Sequence, residues 1–277
     1  MKTNVIKIKL FALLVVGLLF VACSDDNDTI EETEANYSVE NTALATKTDN
    51  IVEGSLSVME NGYVEVNGEN RGNTVESLFP DCTIITLEPN GNGGTITLDF
   101  GEECQLFNGA IVSGKIIMEY GPFENGSRTI TYTFENYFYN GNGVEGEGEI
   151  VRKLENENGN PESTVNESIT VSFSETDVLA TRIGTRVVEW VEGVGSGNWA
   201  DNIYHITGNW NTTLSNGFER SGEVTEQLVK KMSCLWLVSG VLAIEQQNIT
   251  ATIDFGEGEC DAQATITING QEFPVGA

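Results

Sequence analysis

From Cys82 onward apolar and polar residues alternate with a period of two, interrupted by Gly, Asn and Asp, and this restricts the chain to half-buried β-strands. Ile96, Leu98 and Phe100 fall on one face, as do Ile130, Tyr132, Phe134 and Phe138, with Thr129, Thr131, Thr133 and Glu135 opposite. The pattern returns at Ile169, Val171 and Phe173, at Val188 and Trp190, at Tyr204, Ile206 and Trp210, and at Ile266 and Ile268. Only 5 prolines occur in 277 residues, and no long helical pattern interrupts the strands. The expected fold is therefore all-β, an antiparallel two-layer sandwich or a strongly curved β-meander with one buried face per sheet.

The first folded segment admits two readings. Val52, Leu56, Met59 and Tyr63 recur at helical spacing after Thr48-Asp49, which suits a capped short N-terminal helix. Residues 55–60, Asn61-Gly62 and residues 63–66 also match a hairpin. The helix is the preferred expectation.

Ahead of these segments, Lys2, Lys7 and Lys9 precede an apolar run from Leu10 to Val21, which ends at Ala22-Cys23-Ser24. Charged, apolar and small residues in that order form an export signal, and about 12 apolar residues fall short of the roughly 20 that span a bilayer. Phe20-Val21-Ala22-Cys23 resembles a bacterial lipobox, which implies cleavage before Cys23 and acylation of that residue. Three acyl chains exceed the two signals that stable anchoring needs. Ser24-Asp25-Asp26-Asn27-Asp28 is similar to the acidic tract that directs Bacteroidota lipoproteins to the cell surface, and Asp28-Thr29-Ile30 resembles an O-glycosylation acceptor of that phylum, with Thr29 as its target. The expected organisation is a signal peptide over 1–22, an acidic flexible tether over 23–47, and one β domain over 48–277. Within that domain 48–80 is an N-terminal extension and 81–277 the β core.

Three of the 14 basic residues precede Cys23, leaving 11 against all 42 acids, a net charge of −31 on the mature chain. Such a field repels nucleic acid and anionic lipid and favours solubility, cations and cationic partners.

Apart from Cys23 there are four cysteines, an even number that points to disulfides in an exported chain. Three pairings exist, and the hairpins choose between them. Reflecting Cys234 about the turn at Gln246-Gln247-Asn248 lands within a residue of Cys260, and the same construction about residues 89–94 sets Cys82 opposite Cys104. Each bond would close a loop worth roughly 3 kcal/mol in chain entropy.

The two cysteine regions echo one another. Thr97-Leu98-Asp99-Phe100-Gly101-Glu102-Glu103-Cys104 parallels Thr252-Ile253-Asp254-Phe255-Gly256-Glu257-Gly258-Glu259-Cys260, and Ser113-Gly114-Lys115 parallels Ser239-Gly240-Val241, with the order of the two elements exchanged. Two related hairpin units follow. Together with Asn156-Glu157-Asn158-Gly159-Asn160-Pro161, Glu189-Trp190-Val191-Glu192-Gly193, Asn198-Trp199-Ala200-Asp201-Asn202 and Thr207-Gly208-Asn209-Trp210, these segments resemble a recurring family of flavobacterial (Bacteroidota) surface lipoproteins with duplicated DFG-acid-Cys turns. The resemblance spans roughly residues 80–275 and implies a fold and a location, not an activity.

Several residues could carry chemistry. His205, the only histidine, falls on a polar face with Thr207 and Asn209, and no nucleophile elbow, HExxH motif or phosphate loop accompanies it. Asp99, Glu102 and Glu103, and likewise Asp254, Glu257, Glu259 and Asp261, offer carboxylates to Ca2+ but lack EF-hand spacing. Trp190, Trp210 and Trp236 fall on expected strands and suit the core, whereas Trp199, in a Gly-rich loop with Asp201 and Tyr204 nearby, makes a ligand rim for a glycan. Glu189 and Glu192 beside Trp190 are the carboxylate pair a glycosidase would use. The expectation is a lipid-anchored binding or structural module of the outer envelope, with membrane lipid and a glycan or envelope protein as partners. A glycan-active hydrolase is the alternative.

Overall fold

The computed structural model describes residues 38–67, 77–196, 198–234, 236–261 and 263–276, so Cys23 and Thr29 lie outside the described residues. One helix, α1 (Val39–Asn67), precedes the strands β1 (Ile84–Asn90), β2 (Gly93–Asp99), β3 (Cys104–Gln105), β4 (Ile111–Tyr120), β5 (Ser127–Tyr139), β6 (Asn142–Lys153) and β7 (Glu162–Ser172). There follow β8 (Leu179–Glu192), β9 (Ile203–Leu214), β10 (Glu219–Lys231), β11 (Ser239–Gln246), β12 (Ile249–Glu257), β13 (Gln263–Ile268) and β14 (Gln271–Gly276). Each strand pairs antiparallel with its neighbour in sequence, and β3 continues the line of β2 along β4. The expected all-β antiparallel fold is thus present as one unclosed, meandering sheet.

Helix α1 lies across the strands on the inner face. Gln246 of β11 donates to Thr42 (2.9 Å) near one helix end, and Gly62 near the other sits against Leu98 of β2. Twenty residues of helix rise ~30 Å, whereas eight inter-strand steps cover ~38 Å on a flat sheet. The sheet must therefore curl around the helix. Adjacent helix positions show it directly: Glu53 reaches Arg182 and Arg186 on β8, and the backbone at Gly54 faces the ring of Tyr139 at the end of β5. An alanine methyl at Gly54 would fall 2.4 Å from that ring, so the close approach requires glycine.

The helix has two buried stripes. Val52, Leu56, Met59 and Tyr63 pack on Ile96, Leu98, Ile116, Met118, Ile130 and Ile169 of the sheet, as the helical spacing predicts. The other stripe is polar. Asp49 lies 3.7 Å from Arg182 and 3.3 Å from Arg220, and its Oδ1 accepts from the Trp210 indole N–H at 2.9 Å. Glu53 meets Arg182 (2.7 Å) and Arg186 (2.9 Å), Glu60 pairs with Arg152, and Arg220 donates to Thr46 (2.7 Å). Glu167 of β7 completes the cluster, 2.7 Å from Arg182 Nε. Three guanidiniums (Arg182, Arg186, Arg220) therefore face three acidic side chains (Asp49, Glu53, Glu167).

This polar stripe explains why the helix begins earlier than its apolar periodicity predicts. Residues 39–47, read above as tether, are helical. Ser38 Oγ accepts from the Asn41 N–H at 3.2 Å and caps the helix, whereas Thr48 is interior and donates to the Leu44 carbonyl at 2.8 Å. A second correction concerns β5. Asn136 has a φ of 48° at a register shift, so Tyr137 and Tyr139 turn inward and Phe138, expected on the face of Ile130, is 43% exposed.

Cys82 is bonded to Cys104 and Cys234 to Cys260, with Cα separations of 5.5 and 5.4 Å, as the hairpin reflection predicts. The sequence echo also has a structural counterpart. Asp99 Oδ1 accepts from Gly101 N–H and Asp254 Oδ1 from Gly256 N–H, at 3.0 and 2.8 Å. Lys115 pairs with Asp99 and Val241 with Asp254, so the equivalent strands are neighbours in both units despite the exchanged chain order. Gly114 and Gly240, with φ of 77° and 104°, stand at register shifts where a Cβ would strike the backbone of Asn136 or Gln227.

Two measurements test the seam. Arg182→Met removes the guanidinium shared by Asp49, Glu53 and Glu167 and should lower the unfolding free energy by about 3–5 kcal/mol in urea denaturation; a loss below about 1 kcal/mol would show the cluster to be dispensable. Burial raises the Glu167 carboxyl to about 7, outweighing the opposing pull of Arg182. The folded chain therefore binds a proton between pH 7 and 4.5 that the unfolded chain does not, and stability should fall as pH rises through that window. In Glu167→Gln this component of the pH dependence of the melting midpoint should vanish.

Candidate functional site

A meander sends alternate loops to opposite ends of the sheet. The turns at 140–141, 215–218, 247–248 and 269–270 lie at the end where α1 begins, since Asn216 donates to Asn41 (2.8 Å) and Gln246 to Thr42. Loops 154–161, 193–202 and 232–238 gather at the other end with the Cys234–Cys260 bond among them, while the connection 100–110, with the Cys82–Cys104 bond, lies with the near-end turns. Binding residues concentrate on loops held by a rigid scaffold, which makes the far end the candidate site.

Its best-ordered feature centres on Glu189. The side-chain amides of Asn156, Asn158 and Asn160 all donate to Glu189 Oε1, at 2.9, 3.0 and 2.9 Å. Asn156 Oδ1 in turn accepts the N–H groups of Asn158 and Asn160 and so folds the loop that presents them. Glu189 stands in register between Glu162 of β7 and His205 of β9 on the outer face, in keeping with the polar-face placement of His205. The amide of Asn156 first, then those of Asn158 and Asn160, holds the Glu189 carboxyl below its ordinary value. A glycosidase acid requires the opposite shift. Glu192 stands exposed at the strand end, where its carbonyl accepts from the Trp190 indole N–H at 2.6 Å.

The expected rim divides between two layers. Asp201 is exposed and accepts from Ser196 Oγ at 2.9 Å. Tyr204 belongs to the wall below: its ring centroid lies 5.8 Å from that of buried Trp190, and its hydroxyl accepts from Asn202 at 3.3 Å. Trp199 opens the 3₁₀ turn Trp199–Asp201, and its side chain lies outside the described residues. Trp210 lies on the inner face as expected, its ring beneath the Arg182 guanidinium (4.4 Å) with Gly184 and Gly222 leaving space for it.

Trp236 departs from the sequence expectation. It sits in the 232–238 loop, 46% exposed, rather than on a strand in the core. Lys230 Nζ donates to the Cys234 carbonyl at 2.7 Å and reaches the Trp236 carbonyl at 3.5 Å, and Met232 N–H bonds the Asn202 carbonyl at 3.0 Å, tying this loop to 193–202. Only the Gly and Ser residues beside Trp199 mark a loop in sequence; those near Trp236 do not, which is why the alternation misplaced it. Chemically the far end offers an exposed indole face, an ionised carboxylate and a loop of amides, a set suited to stacking on and hydrogen-bonding a polar ligand. Among the described residues no three His, Cys, Asp or Glu side chains assemble into a metal-holding group.

Compared with protein-family models, with curated proteins and with solved structures, the chain matches none.

The asparagine cradle is testable by titration. Replacing Asn156, Asn158 and Asn160 by Ala should move the NMR-measured pKa of Glu189 up toward the ordinary carboxylate range, because three hydrogen bonds to the ionised form are lost. An unchanged value would mean that those amides do not hold it.

Proposed function

We propose that the chain is a lipid-anchored, surface-exposed module of an outer bacterial envelope, which binds a glycan or another envelope protein at the far end of its sheet. The observation that carries this reading is the opposition of two ends. The chain enters α1 beside Asn216 and Gln246, and the long loops with Asp201 and Trp236 lie at the opposite end of the strands. An anchor at Cys23 would join the domain at that near end through the intervening chain. Fifteen residues from Cys23 to Ser38 permit at most ~50 Å of separation, enough to clear the lipid surface.

Binding is favoured over hydrolysis by the state of Glu189. Its Oε1 is saturated by amide donors and the group is held ionised, which suits recognition and opposes proton donation to a leaving group. The net charge of −28 makes nucleic acid a poor partner and leaves neutral glycans or basic protein surfaces as suitable ones.

Two comparisons test the proposal. Cys23→Ser should move the protein from the membrane to the soluble fraction, and protease added to intact cells should digest the unaltered protein. On a glycan array, binding that weakens about tenfold or more in Trp236→Ala, without release of reducing ends, is the expected result. Retention of Cys23→Ser on the membrane would remove the anchor, and release of reducing ends would replace the binder with an enzyme.

A further inference from the structure

At the near end, away from the long loops, a cavity of about 510 Å³ lies between the first turns of α1 and the β5–β6 turn, within the size range of small-molecule sites. Its helical wall follows from sequence spacing. Ala43, Lys47, Asn50 and Ile51, at i, i+4, i+7 and i+8, form one stripe of α1, and Gly54 continues it. At Gly54 the absent side chain admits the Tyr139 ring, which closes that end of the stripe. Ala43, with a single methyl and exposed, leaves the other end open. Tyr139 and Asn142, the last residue of β5 and the first of β6, form the sheet wall. Ala43, Ile51 and the Tyr139 ring make the lining largely apolar.

One polar atom in this wall has no partner. Asn142 is 1% exposed and stands on the inner face, two residues before buried Val144. Its Nδ2 donates to the Tyr139 carbonyl at 3.2 Å and to the Asn140 carbonyl at 2.8 Å. Both contacts are to atoms that only accept, which fixes the amide with its nitrogen toward the turn and its Oδ1 away from it. That Oδ1 is buried and bonded to none of the described residues. A buried acceptor left unpaired is costly, so the place beside it calls for a donor. Lys47 is the one charged residue in the described lining, and its ammonium already lies 5.6 Å from the Phe173 ring centroid and 4.0 Å from Glu175. We infer that this cavity binds a small neutral molecule with an apolar body and one hydroxyl, a phenol or an alcohol, whose O–H donates to Asn142 Oδ1. Charged ligands fit less well. A carboxylate brings no donor for Oδ1, and an ammonium would enter beside Lys47 with no acid in the described lining to offset it. The inference stands apart from the anchor and from the far-end loops.

The test titrates the full-length protein with phenol and, separately, with anisole, which has the same ring but no O–H, and follows amide signals by two-dimensional proton–nitrogen NMR. Phenol should cause saturable shifts at Ala43, Lys47, Asn50 and the Asn142 side-chain amide. Anisole should bind about fivefold more weakly or less, because the hydrogen bond to Oδ1 is lost. Ala43→Trp, at an exposed helical position, should plug the mouth and abolish the phenol shifts, with the Trp210 indole and Gln246 amide signals unmoved as the check on the fold. Equal affinity for the two probes would remove Asn142 from the site and overturn the inference. Shifts that do not saturate, or that centre on other residues, would show that the cavity takes no such ligand, and so would undiminished phenol binding by a folded Ala43→Trp. The comparison of phenol with anisole on the unaltered protein decides the matter whether or not the variant folds.

Discussion

A cluster of buried ionisable groups fixes where the helix lies, and most of the architecture follows from it. Arg182 touches Asp49, Glu53 and Glu167 together, and Arg220 and Arg186 close the cluster from either side. Burying such groups gains little over an apolar contact of equal volume, but misplacing any of them leaves a charge without a partner. The cluster therefore works as a register device. A one-turn slip of α1 would keep its apolar stripe against apolar strands, but would bring only one of Asp49 and Glu53, four residues apart, beside Arg182 and leave the other without its partners. Burial draws Asp49 upward despite Arg182 and Arg220, while Arg186 and Arg182 overcome burial at Glu53 and hold it down. Within one cluster, the balance between desolvation and pairing thus differs from one carboxylate to the next.

The ion seam also accounts for what the sequence conceals. A helix with apolar residues on one stripe and Thr42, Thr46, Asp49, Glu53 and Glu60 on another looks half solvated, so residues 39–47 pass for a polar tether and the hairpin reading of residues 55–66 remains tenable. Charged side chains carry no mark of burial unless their partners are known, and Arg152, Arg182 and Arg220 occur 92 or more residues away. The strands were legible because period-two alternation needs no partner, and both disulfides because a hairpin converts sequence distance into spatial proximity. Within the strands, alternation failed where the backbone inserts a residue. At Asn136 the bulge exchanges Phe138 for Tyr137, and nothing short of the φ of 48° announces it.

The candidate site was legible in its parts and hidden as a whole. Asp201, Glu189 and the asparagine loop each stand out in sequence, but their gathering at one end depends on the strand order, which alternation does not determine. Only an uninterrupted meander puts loops 154–161, 193–202 and 232–238 on the same side. The same order makes Trp236 a loop residue joined to 193–202 through Met232 and Asn202, although its neighbours look like a strand.

The two faces of β11–β14 set a further constraint on the fold. A 29-residue helix is ~43 Å long, and from β2 to β14 the sheet has eleven inter-strand steps, ~53 Å if flat. A closed barrel would resolve the mismatch by bringing β14 against β1, but the sheet order leaves both as edges. The remaining strands nevertheless keep strict amphipathic alternation, with Thr and acids outside and Ile, Leu and Phe inside. A solvated pair of faces would have no use for that pattern, since a strand exposed on both sides gains nothing from segregating its apolar residues. The alternation therefore persists past the end of the helix, into strands whose inner-face residues Ile268 and Phe273 are 36% and 47% exposed.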